Sequence, residues 1–276
     1  MATPAQDHGP EGPEGPDVPA LDKDGVRLTV DDAIATVTLT NPAKRNAQSP
    51  ALWRALTEAG RLLPGSVRVV VLRAEGKSFS AGLDRQAFTP EGFDGEPSFL
   101  DLARGGDAEL DATIAEYQEA FTWWRRSDIL SIAAVQGHAI GAGFQLALAC
   151  DLRVVADDAQ FAMRETSLGL VPDLTGTHPL VGLVGYARAL EICVTGRFVQ
   201  AEEAVATGLA SLAVPADQLD GAVRDLASAV LAAPRDAVIE TKALLQGALH
   251  RDYEAQRVAE RAAQARRLRD LAGLGE

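Results

Sequence analysis

Residues 136–151 read Gln136-Gly-His-Ala-Ile-Gly-Ala-Gly-Phe-Gln-Leu-Ala-Leu-Ala-Cys-Asp151, and this order sets the architecture. Ahead of it lies a strand-like run, Leu130 to Val135. The small-residue turn Gly141-Ala142-Gly143 follows, and it feeds an apolar stretch, Phe144 to Ala149, that reads as a helix. Such a junction lets backbone approach a ligand closely and leaves the unpaired N–H groups of a helix start pointing at it. Gln145 sits one turn inside. The segment has the outline of an oxyanion hole, with Gln145 standing where a catalytic acid would serve.

Working outward, VRLTV (26–30), Asp31-Asp32 and AIATVTLT (33–40) predict a hairpin with a polar turn. Ser49 as N-cap and Pro50 at the first helical position predict a helix over 50–63. RVVVLR (68–73) is nearly continuously apolar, which predicts a strand covered on both faces. KSFSAGLD (77–84) reads as a strand end and turn. Residues 86–112 are acidic and rich in Gly and Pro, so a mobile loop is expected there. Amphipathic helix is expected from Thr113 to Arg126, buried strand from Ile129 to Val135, and strand again from Leu152 to Ala156. From about residue 186 the chain reads as helical, broken by a short strand at 209–214. Tyr253 to Leu271 reads as a long, charged, Ala-rich helix that packs on the body or on a neighbouring subunit. Strands alternating with helices, then helices alone, give an α/β class with a helical C-terminal subdomain.

Composition bounds the function. The chain has 276 residues, enough for one large core or two modest domains. An apolar content of 47% with 24% charged residues fits a globular protein. The net charge of −13 argues against nucleic acid and anionic membrane as partners, while a local basic cluster can still serve an anionic small ligand. Cations are mostly Arg; the lysines are Lys23, Lys44, Lys77 and Lys242. Cys150 and Cys193 sit in apolar helical surroundings and read as buried free thiols, with no ligand spacing for a metal. Residues 1–20 are low-complexity and expected to be disordered, and they lack the basic-then-apolar pattern of a signal peptide. No apolar run reaches the roughly 20 residues that span a bilayer, so a cytoplasmic protein is expected.

Three segments together resemble one family. KSFSAGLD (77–84), AIGAGFQLALACDLRVV (139–155) and FAMRETSLGLVPDLTGTHPLVGLVG (161–185) are similar to signatures of the enoyl-CoA hydratase/isomerase (crotonase) superfamily. NPAKRNA (41–47) resembles its first CoA-contact segment, and TGRFVQAEEAVATGLA (195–210) its C-terminal stretch. The likeness runs in order over roughly residues 25–270. It implies a crotonase-like spiral of ββα units over 21–200. It also implies a helical trimerisation subdomain over 201–276, giving a homotrimer or a dimer of trimers. The implied substrate is an acyl-CoA thioester, with no bound cofactor and no metal. The shared chemistry is stabilisation of a thioester enolate by two backbone N–H donors.

Carried over residue by residue, the donors are the amides of Leu83 and Ala142. The family often has Ala and Gly at these positions, so the larger side chains change pocket shape while leaving the N–H groups usable. The CoA-contact positions are Lys44, Arg45, Ala47, Ala81, Leu83 and Asp84; Lys44 and Arg45 are otherwise a solvated surface pair. Lys77 and Arg85 flank the first donor turn. Hydratases of the family use two glutamates. The first falls on Gln145, whose amide cannot move a proton at neutral pH. The second falls on Glu165, catalytic or else engaged on the surface; Arg164 next door could pair with it, although adjacent residues often point apart. Asp173 matches a position where some relatives carry a catalytic carboxylate; the alternative is a turn or cap. One carboxylate suffices for isomerisation, whereas hydration needs water activation plus protonation. The sequence therefore leans toward an isomerase, with a hydratase proper, a non-catalytic acyl-CoA-binding homologue and a nucleophilic Asp173 as alternatives. His138 is expected in a structural or pocket-wall role, and His178, near the Asp173 turn, is within reach of substrate or Asp173. Asp84 is expected as a cap and Asp151 as a structural hydrogen bonder. Of Trp123 and Trp124, one is expected in the core.

Overall fold

The computed structural model describes residues 21–93 and 95–275; the expected disorder of residues 1–20 lies outside them. The chain opens with β1 (Leu21–Lys23), β2 (Val26–Asp31) and β3 (Ile34–Leu39), three antiparallel neighbours. Asp32 takes a left-handed conformation (φ 50°) in the predicted polar turn. Next, α1 (Pro50–Arg61) begins where expected, with the Ser49 hydroxyl accepting the Leu52 N–H at 3.2 Å. β4 (Val69–Ala74) then pairs parallel with β3.

The expected loop over 86–112 is corrected. It contains a 3-10 turn (Arg85–Phe88), α2 (Phe99–Leu102) and the start of α3 (Asp107–Thr122). Asp107 and Glu109 favour the positive end of α3, and Phe99 meets Phe88 edge-to-face and stacks on Tyr117, at centroid distances of 5.5 and 6.2 Å. Acidic composition hid a helix start and an aromatic anchor. The same helix stops at Thr122 instead of Arg126, giving way to a 3-10 turn over Trp123–Arg125.

β5 (Leu130–Val135) leads to β6 (His138–Ile140) and α4 (Ala142–Ala149), which starts two residues earlier than the sequence suggested. β7 (Leu152–Ala156) and β8 (Gln160–Ala162) follow, then α5 (Thr177–Val184) and α6 (Tyr186–Thr195). The remainder is β9 (Val199–Gln200), α7 (Ala201–Ala206), β10 (Leu212–Val214), α8 (Leu219–Ala232), α9 (Arg235–Ala248) and α10 (Tyr253–Leu271). β10 is shorter than the strand expected over 209–214.

Seven strands form one sheet in the order β1-β2-β3-β4-β5-β7-β10, parallel from β3 onward. β6, β8 and β9 form a second, small sheet, which Ser80 extends through a parallel bridge to Ala139. The chain thus winds repeatedly: β4 then Ser80, β5 then β6, β7 then β8. Each turn adds one strand to the large sheet and one short extended piece to the small one. β4 is covered on both faces, as its apolar run requires. Val70 and Leu72 join the main core with Trp53, Phe121 and Phe144, while Val69 and Val71 pack with Leu219 and Val223 of α8. Trp124 is the buried member of the tryptophan pair, and Trp123 stacks on it at 3.9 Å. Among the described residues, no helix is long and apolar enough to cross a membrane.

Candidate active site

The turn at 80–84 and the turn at 140–143 are stitched together by backbone. Ser80 N–H donates to His138 O (2.9 Å) and Ile140 N–H donates to Ser80 O (3.0 Å). Gly82 lies in the left-handed region (φ 84°), where a side chain is strained. A Cβ there would also run into the carbonyl oxygen of Ile140 and sit 3.5 Å from the Ala142 nitrogen. Gly143 is equally constrained, since a Cβ on it would meet Ser80 O at 2.6 Å. The glycines therefore let two turns close on one another.

This closure sets the turn that carries Leu83 against the start of α4, where a Cβ on Gly82 would lie 3.5 Å from the Ala142 nitrogen. The parallel bridge between Gln48 and Leu83 uses the Gln48 and Asp84 amides, leaving the Leu83 N–H outside the ladder. Ala142 is the first residue of α4, where an N–H has no partner in its own helix. Neither amide donates to a protein acceptor among the described residues. Two fixed donors at the positive end of a buried helix can hold an oxygen anion.

Gln145, Glu165 and Asp173 also converge. Gln145 is buried, and its Nε2 donates to Glu165 Oε1 at 2.7 Å. Its Oε1 accepts the amides of Leu174 (2.9 Å) and Gly176 (3.3 Å). Gly176 is needed for this clamp, because a Cβ on it would lie 2.7 Å from the Gln145 Cγ. Glu165 begins a 3-10 turn (Glu165–Leu168) and is only 8% exposed. Its Oε2 has no hydrogen-bond partner, and a Cβ on Gly141 would be 3.8 Å from that oxygen. Burial pushes the Glu165 carboxyl above its ordinary range; the Gln145 hydrogen bond opposes this and the Asp173 charge adds to it.

Asp173 lies in the irregular stretch before α5, as expected, and Gln118 Nε2 donates to its carbonyl at 2.6 Å. Crowding by protein raises the Asp173 carboxyl as well. The residue is nonetheless exposed, and solvent screens a carboxylate it reaches.

Arg164 and Glu165 do not pair. Arg164 donates to Gly196 O at 3.0 Å, as neighbouring side chains point apart. His178 stacks on His250 at 5.5 Å, and no hydrogen bond joins it to Asp173. His138 is exposed at the edge of the small sheet, against Phe198.

Beside the first donor turn, a cavity of about 290 Å³ is lined by Lys44, Ala47 and Asp84 among others. Lys44 Nζ sits 3.1 Å from Asp84, which also caps the Arg85–Phe88 turn through the Gln86 N–H. Arg45 and Asn46 both take left-handed φ (52° and 53°), and Ala81 N–H donates to Arg45 O at 2.9 Å. Sequence reasoning missed what fixes this region. Asn46 donates to Glu75 O and Ser78 O. Ser80 Oγ donates to Asn46 O and accepts from Gly82 N–H and Gln48. Gln118 was missed too, being one polar residue on an amphipathic helix with no motif around it.

The family model described as Enoyl-CoA hydratase/isomerase matches residues 29–271. The chain is 49% identical to a provisionally named enoyl-CoA hydratase of Thermobifida fusca YX. That protein, solved in complex with CoA, superposes with a TM-score of 0.85 over 90% of this chain and 95% of that one. It has also been solved with acetoacetyl-CoA. A provisionally named enoyl-CoA hydratase of Bacillus subtilis is 34% identical over 195 residues, 68% of each chain. The human mitochondrial Delta(3,5)-Delta(2,4)-dienoyl-CoA isomerase is 35% identical over 182 residues, 65% of this chain and 55% of its own. The match across nearly all described residues, with relatives of both hydratase and isomerase name, makes this chain an enzyme of the enoyl-CoA hydratase/isomerase family.

Proposed function

We propose that the chain isomerises an enoyl-CoA thioester, with Glu165 as the single proton carrier. The reading rests on Gln145: its carboxamide is spent on Glu165 Oε1 and on the Leu174 and Gly176 amides. Glu165 Oε2 is thereby the one unbonded oxygen of the pair, beside Gly141. A base held this way takes the C2 proton of a 3-enoyl thioester. The C2–H electron pair moves into the acyl system, and the thioester oxygen becomes the anion held by the Leu83 and Ala142 amides. Glu165 then returns the proton to C4, the C3–C4 double bond shifts to C2–C3, and the oxyanion collapses. A raised pKa suits this task, because a base works best near the operating pH. The CoA portion would lie along Lys44, Arg45, Ala47 and Ala81, the positions that the family resemblance implies.

Hydration is the second reading, favoured by Asp173, whose charge acts on Glu165 and which would have to replace the acid absent at position 145. Purified protein should convert 3-hexenoyl-CoA to the 2-enoyl product faster than it hydrates crotonyl-CoA. Glu165→Gln should lose about 10²–10⁴-fold in kcat. Faster hydration than isomerisation, or a Glu165→Gln variant with unchanged kcat, would overturn the reading.

A further inference from the structure

A second cavity, about 360 Å³, lies where the end of α3, the end of α4, the start of α5 and α9 meet. Its walls include Phe121, Arg125, Thr175, His178, Gln246 and His250. No carboxylate lines it, in a chain whose net charge is −13. Arg125 has no acidic partner among the described residues. Its Nη2 donates to Leu148 O at 3.2 Å, and its other N–H groups donate to no protein atom. The rings of His178 and His250 stack at 5.5 Å on the wall of the same cavity. Thr175 precedes α5 and His178 lies in its first turn; α5 has no side-chain cap, and its positive end adds to the cationic field.

Two rails connect this cavity to the acid cluster. On α3, Gln118 holds the Asp173 carbonyl and Phe121 follows one turn on, with Arg125 in the 3-10 turn that continues the helix. On the loop before α5, Asp173 is followed by Thr175 and His178. α4 spans the same interval, starting at the Ala142 amide and ending at Ala149 on the cavity wall, about 10 Å away at 1.5 Å per residue. Thr175 is β-branched yet left-handed (φ 67°), held there by the Gln145 bonds to the residues on either side.

Two further buried cations, Arg153 and Lys242, lie near Arg125. Arg153 is lowered to about 10, first by burial, with the Arg125 charge adding to the effect. Lys242 is lowered in the same way, burial first, with Arg125 again contributing and Asp151 opposing.

We propose that this cavity is the distal acyl subsite and that the acyl group it takes ends in a carboxylate, gripped by the Arg125 guanidinium beside the His178–His250 stack. This names the substrate class for the activity proposed above and rests on that reading. Arginine suits the task because its planar fork matches a carboxylate in two parallel hydrogen bonds.

The test compares 3-octenedioyl-CoA with 3-octenoyl-CoA, equal in length and differing in the terminal carboxylate. Titration calorimetry on the full chain measures binding, and a separate assay measures turnover. The wild type should bind the dioyl ester at least about tenfold more tightly. Arg125→Gln should bring the ratio of affinities to near one, and Arg125→Lys should keep part of it. Equal wild-type affinities, or an unchanged ratio in a folded Arg125→Gln protein, would overturn the subsite; if that variant does not fold, the wild-type ratio and Arg125→Lys decide. Failure of the isomerase reading is distinct: both esters bind with the expected preference and neither is turned over.

Discussion

Glu165 pits function against stability. It is nearly buried, one oxygen is unbonded, and its carboxyl is held above the ordinary range of about 4.3. A raised acid pKa means that the folded state holds the proton more tightly than the unfolded state. Stability is therefore greatest when Glu165 is protonated, below the unfolded value, and is lost as pH rises through the folded value. Glu165→Gln removes the ionisation. It should melt higher than wild type at neutral and alkaline pH, and the advantage should vanish below about pH 4. Thermal melts across pH check this; identical curves at every pH would refute it. The same burial places the acid limb of kcat/KM above the ordinary carboxylate range. Gln145→Leu deletes the hydrogen bond that lowers the Glu165 pKa, so that limb should move to higher pH. Two buried amides would also lose their acceptor, at a cost of about 1–3 kcal/mol each.

At the scale of elements, the donor turns depend on close approach more than on side-chain chemistry. Gly82→Ala should be far costlier than Gly208→Ala, although both glycines have positive φ (84° and 79°). Gly208 faces only Leu183 O at 3.6 Å, so its variant carries backbone strain alone, about 1 kcal/mol. Gly82→Ala adds a collision with the Ile140 carbonyl and pries the Leu83 turn from α4. Its kcat/KM should fall about 10²-fold, as expected for one misplaced donor, while Gly208→Ala should keep wild-type kcat/KM. Steady-state kinetics with denaturant melts separate the two; equal losses would mean that the contact does not set the donors. This dependence explains what the sequence revealed. Small residues at 82, 141 and 143 announced a junction, and apolar runs announced β4, β5 and β7. β6 and β9 escaped because strands of two or three residues carry no period. The helix within 86–112 escaped because its acidic, Gly-rich start looks like solvent-exposed loop, and the Phe99–Tyr117 stack that anchors it joins residues distant in sequence. Gln145 was read as a missing acid, but its twin role as clamp for Glu165 and for the 174–176 turn depends on partners that only the folded chain assembles.

Over the whole molecule, α9 must be tied to the sheet for the second cavity to exist, since Gln246 and His250 form its far wall. One buried ammonium makes much of that tie. Lys242 Nζ donates to Arg126 O (2.7 Å), Ile129 O (2.7 Å) and Asp151 Oδ2 (2.6 Å), while Asp151 also receives the Ser131 amide and hydroxyl. The cluster joins α9, the approach to β5 and the start of β7. Its strength lies in completeness, because a buried charge without its partner costs more than the pair gains. Lys242→Met leaves Asp151 charged and two carbonyls without donors, and should destabilise by about 3–5 kcal/mol in urea unfolding. Lys242→Met with Asp151→Asn removes the stranded charge and should recover part of that loss, so the two changes should be non-additive. Additive losses would show that Asp151 and Lys242 act separately. Because α9 carries the cavity wall, the single variant should also weaken discrimination between the dioyl and monoacyl esters, although Lys242 lines neither cavity described above.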